Sequence, residues 1–303
     1  MEFLYLLENL RTPLLDECML LITRLGEETA FLVAALIVFW CVDKQKGYYL
    51  MTVGFLGTML NQFFKLFCRV PRPWVLDPEF TIVEQAREAA TGYSFPSGHS
   101  QNAVGTFGAL AVGTKNRRLR VLWILIAVLV PFSRMYLGVH TPGDVLTGSL
   151  MALALVVALR PMMTMGKARG MKDILLLMLI LSVGLLLYVH LWPFPMDMDA
   201  HNLKSGMKNA YTMIGCITGV CIVYVAEKRY IKFETKAIWW AQLLKILIGL
   251  GTVLAIKEGL RAPLEMILSV YPARAVRYFL IVLWAGIGWP SCFRIFTRLG
   301  VKK

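Results

Sequence analysis

The chain has 303 residues, of which 57% are hydrophobic and only 17% charged, and its mean hydropathy is +0.62. That balance excludes an ordinary soluble domain and indicates a polytopic membrane protein. A net charge of +13 raises the question of a nucleic-acid partner, but the basic residues gather in alternate loops, which argues against nucleic acid and for orientation in a bilayer.

Residues 1–17 read as an interfacial amphipathic segment, since Met1-Glu2-Phe3-Leu4-Tyr5 lacks the basic start and small-residue cleavage site of a signal peptide. Nine apolar stretches then approach the roughly 20 residues a span needs, at about 18–41, 47–67, 98–114, 120–138, 143–160, 173–192, 209–226, 237–258 and 275–296. One set of loops carries Lys44 and Lys46, then Lys115 to Arg120, Arg160 to Lys172, Lys228 to Lys236, and the C-terminal cations. The opposite set is mixed or acidic, with Glu2, Glu8, Asp16, Glu27 and Glu28 early and Asp77, Glu79, Glu84 and Glu88 in loop 68–95. The positive-inside rule predicts an external N-terminus and a cytoplasmic C-terminus for nine crossings.

Tryptophans 40, 74, 123, 192, 239, 240 and 289 fall near predicted span ends and read as membrane anchors. Gly249, Gly251, Gly286 and Gly288 suit close helix packing. Lys245, inside the eighth span, reads as a snorkelling or structurally hydrogen-bonded charge. In loop 68–95, residues 80–90 are either a short amphipathic helix or a solvated connector. Pro193, Pro195, Asp197, Asp199 and His201 read as a solvated turn. Six cysteines form no disulfide framework, and neither Cys nor His shows metal-ligand spacing.

Three polar strings interrupt the apolar sequence between residues 65 and 144. They are Lys65 followed by Arg72-Pro73, then Pro96-Ser97-Gly98-His99, then Ser133-Arg134 with His140 and Asp144 behind it. Each lies where an apolar stretch begins or ends, so the topology predicts that all three meet at the external face. Lys65, Arg72 and Arg134 supply cations for phosphate oxygens, Arg as a planar fork and Lys as a point charge. Ser97 and Gly98 begin a helix whose free N–H groups suit an anion, although Ser97 also reads as a plain cap. Asp144 lies about one turn after His140, where it can orient the imidazole or merely cap the helix that starts at Thr141-Pro142.

Taken jointly, these strings resemble the three-part signature of the type 2 phosphatidic acid phosphatase family: Lys, six residues, Arg-Pro; Pro-Ser-Gly-His; Ser-Arg, five residues, His, three residues, Asp. The likeness covers about residues 50–160. It implies an all-α integral membrane bundle, with a six-helix phosphatase-like core over 18–192 and about three additional C-terminal helices over 193–303. It further implies a phosphatase without metal or cofactor, with His140 as nucleophile, Asp144 orienting it, and His99 as acid for the leaving group. Lys65, Arg72, Ser97, Gly98 and Arg134 would hold the phosphoryl group. The substrate implied is a lipid phosphate or pyrophosphate, undecaprenyl pyrophosphate first, with phosphatidic acid, phosphatidylglycerol phosphate or a sphingoid phosphate behind it. The alternatives are a lipid phosphotransferase on the same site, a vanadium haloperoxidase, and a lipid carrier that binds headgroups without chemistry.

Overall fold

A computed structural model of the chain describes residues 1–163, 168–195 and 198–299, and among these every regular element is helical. In chain order the α-helices are α1 Glu2–Glu8, α2 Pro13–Arg24, α3 Glu28–Ile37, α4 Lys44–Cys68, α5 Pro73–Leu76, α6 Gly98–Gly113, α7 Arg117–Tyr136 and α8 Pro142–Ala158. They continue with α9 Ala168–Leu191, α10 Ala200–Ala226, α11 Trp239–Gly259, α12 Arg261–Ile267, α13 Val270–Leu283, α14 Trp289–Ser291 and α15 Phe293–Arg298. The chain divides into two compact units that interleave in sequence, so no single cut separates them. Unit one holds residues 1–34, 49–164 and 194–206, and unit two holds 35–48, 165–193 and 207–303.

Among the described residues, five helical stretches are long and apolar enough to cross a membrane: Arg117–Tyr136, Gly170–Leu191, Ala200–Ile231, Trp239–Ile267 and Val270–Thr297. A sixth arises if Pro13–Arg24 and Glu28–Val42, bent by 50° at their junction, act as one span. The sequence predicts nine, and the difference lies in α4, α6 and α8. All three exist as helices, but α4 carries Lys44, Gln45, Lys46, Asn61, Gln62 and Lys65, α6 has 16 residues and α8 has 17. In unit one α6 packs against both α7 and α8. Its buried residues are polar or small in the first half, Ser100, Gln101, Asn102, Ala103, Gly105 and Thr106, and apolar in the second, Phe107, Ala109 and Ala111, because a helix enclosed by protein is selected for close fit as well as for oiliness.

The starts of these helices follow local rules. Thr12 caps α2 and accepts from Leu15 N, with Pro13 at the first helical position, where its missing N–H costs nothing. Asn116 caps α7 and accepts from Arg118 N and Leu119 N. Residues 80–90 form neither a full helix nor a solvated connector. Only Glu84–Ala86 makes a 3₁₀ turn, and Val83 and Ala86 are buried against Tyr136, Leu137 and Val139. The loop is thus packed beneath the segment that leads to His140.

Within unit two, two tryptophans correct the sequence reading. Trp40 is fully buried and its Nε1 donates to Ala285 O at 2.8 Å. Trp289 is buried and donates to Lys245 O at 3.2 Å. Both are core residues, because an indole N–H that finds a carbonyl can leave the interface. Gly249 makes room for both: a Cβ there would stand 2.4 Å from Trp289 Nε1 and 2.7 Å from a Trp40 ring carbon. Trp192 and Trp239 remain exposed, as anchors would be. Lys245 is fully buried and structural. Its Nζ donates to Trp40 O at 3.2 Å and Thr235 O at 3.1 Å, over the Phe293 ring at 4.4 Å. Hydrogen bonds from a charged donor contribute about 1.5–3 kcal/mol each and offset part of the desolvation cost.

Candidate active site

All three polar strings lie at helix ends in unit one. Lys65 occupies the last turn of α4, and Arg72 caps α5 with Pro73 just inside it. Ser97 caps α6, its Oγ accepting from Ser100 N and from Ser100 Oγ. Arg134 lies in the last turn of α7. The chain then turns through Gly138 at φ +78°, where a side chain would be strained and would meet Arg11 Nη2 at 2.7 Å. This turn carries His140 from the end of α7 to the start of α8.

Thr141 and Asp144 form a capping box on α8, with Thr141 N donating to Asp144 Oδ2 at 2.8 Å. The same carboxylate oxygen lies 3.6 Å from His140 Nδ1, too far for a direct hydrogen bond. Ser94 fills the gap. Its hydroxyl donates to Asp144 Oδ2 at 2.6 Å and stands 3.4 Å from His140 Nδ1. Arg72 Nη1 donates to His140 Nε2 at 2.8 Å. The same Nη1 also stands 3.5 Å from Nδ1, and Nδ1 is the ring nitrogen that faces Ser94 and Asp144. Asp144 therefore caps the helix and faces the imidazole at once.

Arg72 and Lys65 donate to backbone carbonyls, and Arg134 to a threonine hydroxyl. Arg72 donates from Nε to Gly92 O at 3.1 Å, from Nη2 to Thr91 O at 2.8 Å and from Nη1 to Val139 O at 3.0 Å. Lys65 Nζ donates to Tyr93 O. Arg134 is fully buried; Nη1 donates to Thr23 Oγ1 at 2.9 Å, while Nε and Nη2 are buried without a partner. His99, in the first turn of α6, also has a buried Nε2 without a partner, and it lies within electrostatic reach of Arg134, His140, Arg72 and Lys65. Three cations face two carboxylates, Asp144 near Arg72 and Glu27 within reach of Arg134, so the site keeps a positive surplus.

Outside the helical spans, the charge balance acts on two groups. His140 is held neutral: burial pushes its pKa well below the usual 6.5, and Arg72, Arg134 and Lys65 add to the same direction. Burial lowers Arg72 to about 10, with Asp144 opposing, so it stays charged at neutral pH.

Every site residue named from sequence lies in this unit. Gly98 is in place but not crowded, since a Cβ there would stand 3.5 Å from Asn61 Oδ1. The tighter approach is at Gly148 in α8, where a Cβ would stand 2.5 Å from Ser97 O. With Ser97 N donating to Asp144 O at 3.0 Å, this contact locks the second string to the third. Sequence reasoning missed Ser94, Thr23, Asn61 and Gly148. Ser94 offers a faint signal, two residues before Pro96; the others offer none.

Beside Arg72 opens a cavity of about 610 Å³, walled by Arg69, Trp74 and Tyr93 on one side and His201 and Asn202 on the other. Asp199, also on its wall, caps the start of α10 by accepting from His201 N at 2.7 Å. The turn read as solvated thus borders the site, while Asp197 falls outside the described residues.

Comparison with known proteins gives the same picture. The PAP2 superfamily matches residues 45–167, and the PAP2 superfamily phosphatase transmembrane extension matches residues 211–303. Phosphatidylglycerophosphatase B of Bacillus subtilis is 31% identical over 162 residues, covering 48% of this chain and 74% of its own. The undecaprenyl-diphosphatase of Sulfolobus acidocaldarius is 30% identical over 139 residues, covering 45% of this chain and 65% of its own. A probable sphingosine-1-phosphate phosphatase of Dictyostelium discoideum is 30% identical over 170 residues, covering 50% and 39%. Among solved structures, a transmembrane PAP2-type phosphatidylglycerolphosphate phosphatase from Bacillus subtilis has 27% identity and a TM-score of 0.46, covering 55% of this chain and 84% of that one. With its three strings gathered around one buried imidazole and relatives that are lipid phosphatases by name, this membrane chain belongs to the PAP2 superfamily and carries that superfamily's transmembrane extension.

Proposed function

We propose that the protein hydrolyses the terminal phosphate of a lipid phosphate or diphosphate, without a metal, at the external face of the membrane. The observation that carries this reading is a set of unsatisfied buried groups: Arg134 Nε and Nη2 and His99 Nε2 have no partner, and His99 lies within electrostatic reach of Arg134 and His140. Buried polar groups are normally paired, and a phosphoryl oxygen would pair these.

In the proposed reaction His140 Nε2 attacks the terminal phosphorus and the bond from that phosphorus to its bridging oxygen breaks, an ester bond in a lipid phosphate and an anhydride bond in a lipid diphosphate. The electron pair leaves on the bridging oxygen, which takes a proton from His99. Asp144, with Ser94, holds Nδ1–H in place and stabilises the imidazolium character that develops. Lys65, Arg72 and Arg134, with the N–H groups that open α6 behind Ser97 and Gly98, bear the charge on the equatorial oxygens. Water, deprotonated by His99, then attacks the phosphohistidine; the phosphorus–nitrogen bond breaks and its electron pair returns to Nε2.

Undecaprenyl pyrophosphate is the first substrate proposed, with phosphatidylglycerol phosphate, phosphatidic acid and sphingoid phosphates next. The names of the relatives support this range without ranking it. The test is inorganic phosphate release by the full-length protein from a panel of these lipids, in chelator and without any acceptor. Release in chelator is expected. A strict need for an added divalent ion would overturn the metal-free mechanism, and release only with a lipid or sugar acceptor would make the protein a phosphotransferase.

The low pKa of His140 fixes an expected pH profile. Neutral imidazole attacks, so the acid limb of phosphoenzyme formation should fall below pH 6.5, the ordinary histidine value. The same shift predicts stability: the unfolded chain takes up this proton first as pH falls, so the contribution is whole above 6.5 and is lost as pH drops through the folded value. A limb at or above 6.5 in rapid-quench measurements would refute the assignment.

A further inference from the structure

Unit two contains a second cationic cavity, of about 470 Å³, among α10, α11, α12 and α13. Five cations line it: Lys208, Lys257, Arg261, Arg274 and Arg277, against two carboxylates, Glu258 and Glu265. The carboxylates are loosely engaged, Glu258 at 3.5 Å from Lys257 and Glu265 at 3.6 Å from Arg261. Five cations less two acids leave a surplus of three.

Arg277 is the informative residue. It is the eighth residue of α13, about 10 Å along the helix from its start, in a stretch apolar enough to span a membrane. It is 6% exposed, and its Nε is buried without a hydrogen-bond partner. A snorkelling arginine would carry its head to water; this one is enclosed and lines the cavity. Arg274 is pre-set beside it, its Nε donating to Thr212 Oγ1 at 2.6 Å. The Tyr278 ring flanks both guanidiniums, at 5.2 and 5.6 Å. Two guanidinium forks and an ammonium in a recess suit a tetrahedral oxyanion, because each fork matches two oxygens on one phosphorus. The cavity is also several times larger than one phosphate ion.

We propose that this cavity is a phosphate-binding site in the transmembrane extension, taking the phosphate of an anionic lipid headgroup or free inorganic phosphate. It uses only residues of unit two and does not depend on the catalytic reading.

Two arms of one experiment separate the sources. Full-length protein in phosphatidylcholine nanodiscs is irradiated with a photoreactive phosphatidic acid made non-hydrolysable as its phosphonate, or with the matching diacylglycerol, and labelled peptides are mapped. In parallel, modification of Arg274 and Arg277 by phenylglyoxal is followed with and without inorganic phosphate. A lipid site is expected to give phosphatidic acid labelling across residues 257–278, reduced about tenfold in Arg277→Gln, the loss of roughly one charge-assisted contact. A free-phosphate site is expected to give protection from phenylglyoxal. Lys208→Gln, an exposed substitution, should weaken either signal even if Arg277→Gln fails to fold. Equal labelling by diacylglycerol without protection by phosphate, or signals unchanged in both variants, would overturn the proposal.

Discussion

Full-length His140→Ala protein is expected to release phosphate from a lipid phosphate about 10⁴-fold more slowly than the parent, a loss of roughly 5.5 kcal/mol of transition-state stabilisation. The expectation rests on the His140 imidazole, which lies against the Arg72 guanidinium at 2.8 Å from Nε2 and which alanine removes with no substitute in reach. Ser94 and Asp144 would still pair with each other at 2.6 Å, so the pocket should keep its form. Acid-stable trapping is the wrong probe, since a phosphorus–nitrogen bond is acid-labile; the measurement is alkaline quench after a pulse of labelled substrate. Labelled protein should appear in the parent and vanish in the variant. Turnover within tenfold of the parent would remove His140 as nucleophile.

Arg134→Met should separate activity from stability. Loss of a preorganised charged donor is expected to lower kcat by about 10²–10³-fold. The resting fold should not suffer, because Arg134 is fully buried with only Nη1 paired, to Thr23, and its other two donor positions unmet. Replacing a poorly compensated buried charge by an apolar chain of similar length is often neutral or stabilising. Thermal unfolding of purified protein should therefore show an unchanged or raised Tm alongside the lost activity. Arg134→Lys should retain more activity, as a point charge without the fork. A variant that loses Tm and kcat together would make Arg134 a structural residue.

The three polar strings stand out in sequence because Lys65, Arg72, Arg134, His99 and His140 are rare residue types in an apolar chain and together suit an anion. The all-helical class followed from hydropathy for a related reason, as backbone groups in a bilayer must be satisfied within the helix. What stayed hidden depends on tertiary neighbours. Ser94 and Thr23 are ordinary polar residues until folding sets them beside Asp144 and Arg134. Gly148 shows its purpose only once Ser97 O lies 2.5 Å from where its Cβ would be. Trp40 and Trp289 look like anchors in sequence because position near a span end does not reveal what the helix faces. By length and apolarity alone the described helices give five or six spans and not nine, because α6 and α8 are short and α6 opens with Ser100, Gln101 and Asn102.

The contact between Arg72 and His140 has a chemical consequence for the resting protein. With a guanidinium seated 2.8 Å from Nε2, the atom that attacks in the proposed reaction would be masked against stray electrophiles. On that reading an incoming phosphate ester would draw the guanidinium onto its own oxygens before the nitrogen is exposed. Unmasking and substrate engagement are then one event, and small acylating reagents such as diethyl pyrocarbonate should meet a sluggish imidazole until an oxyanion is bound.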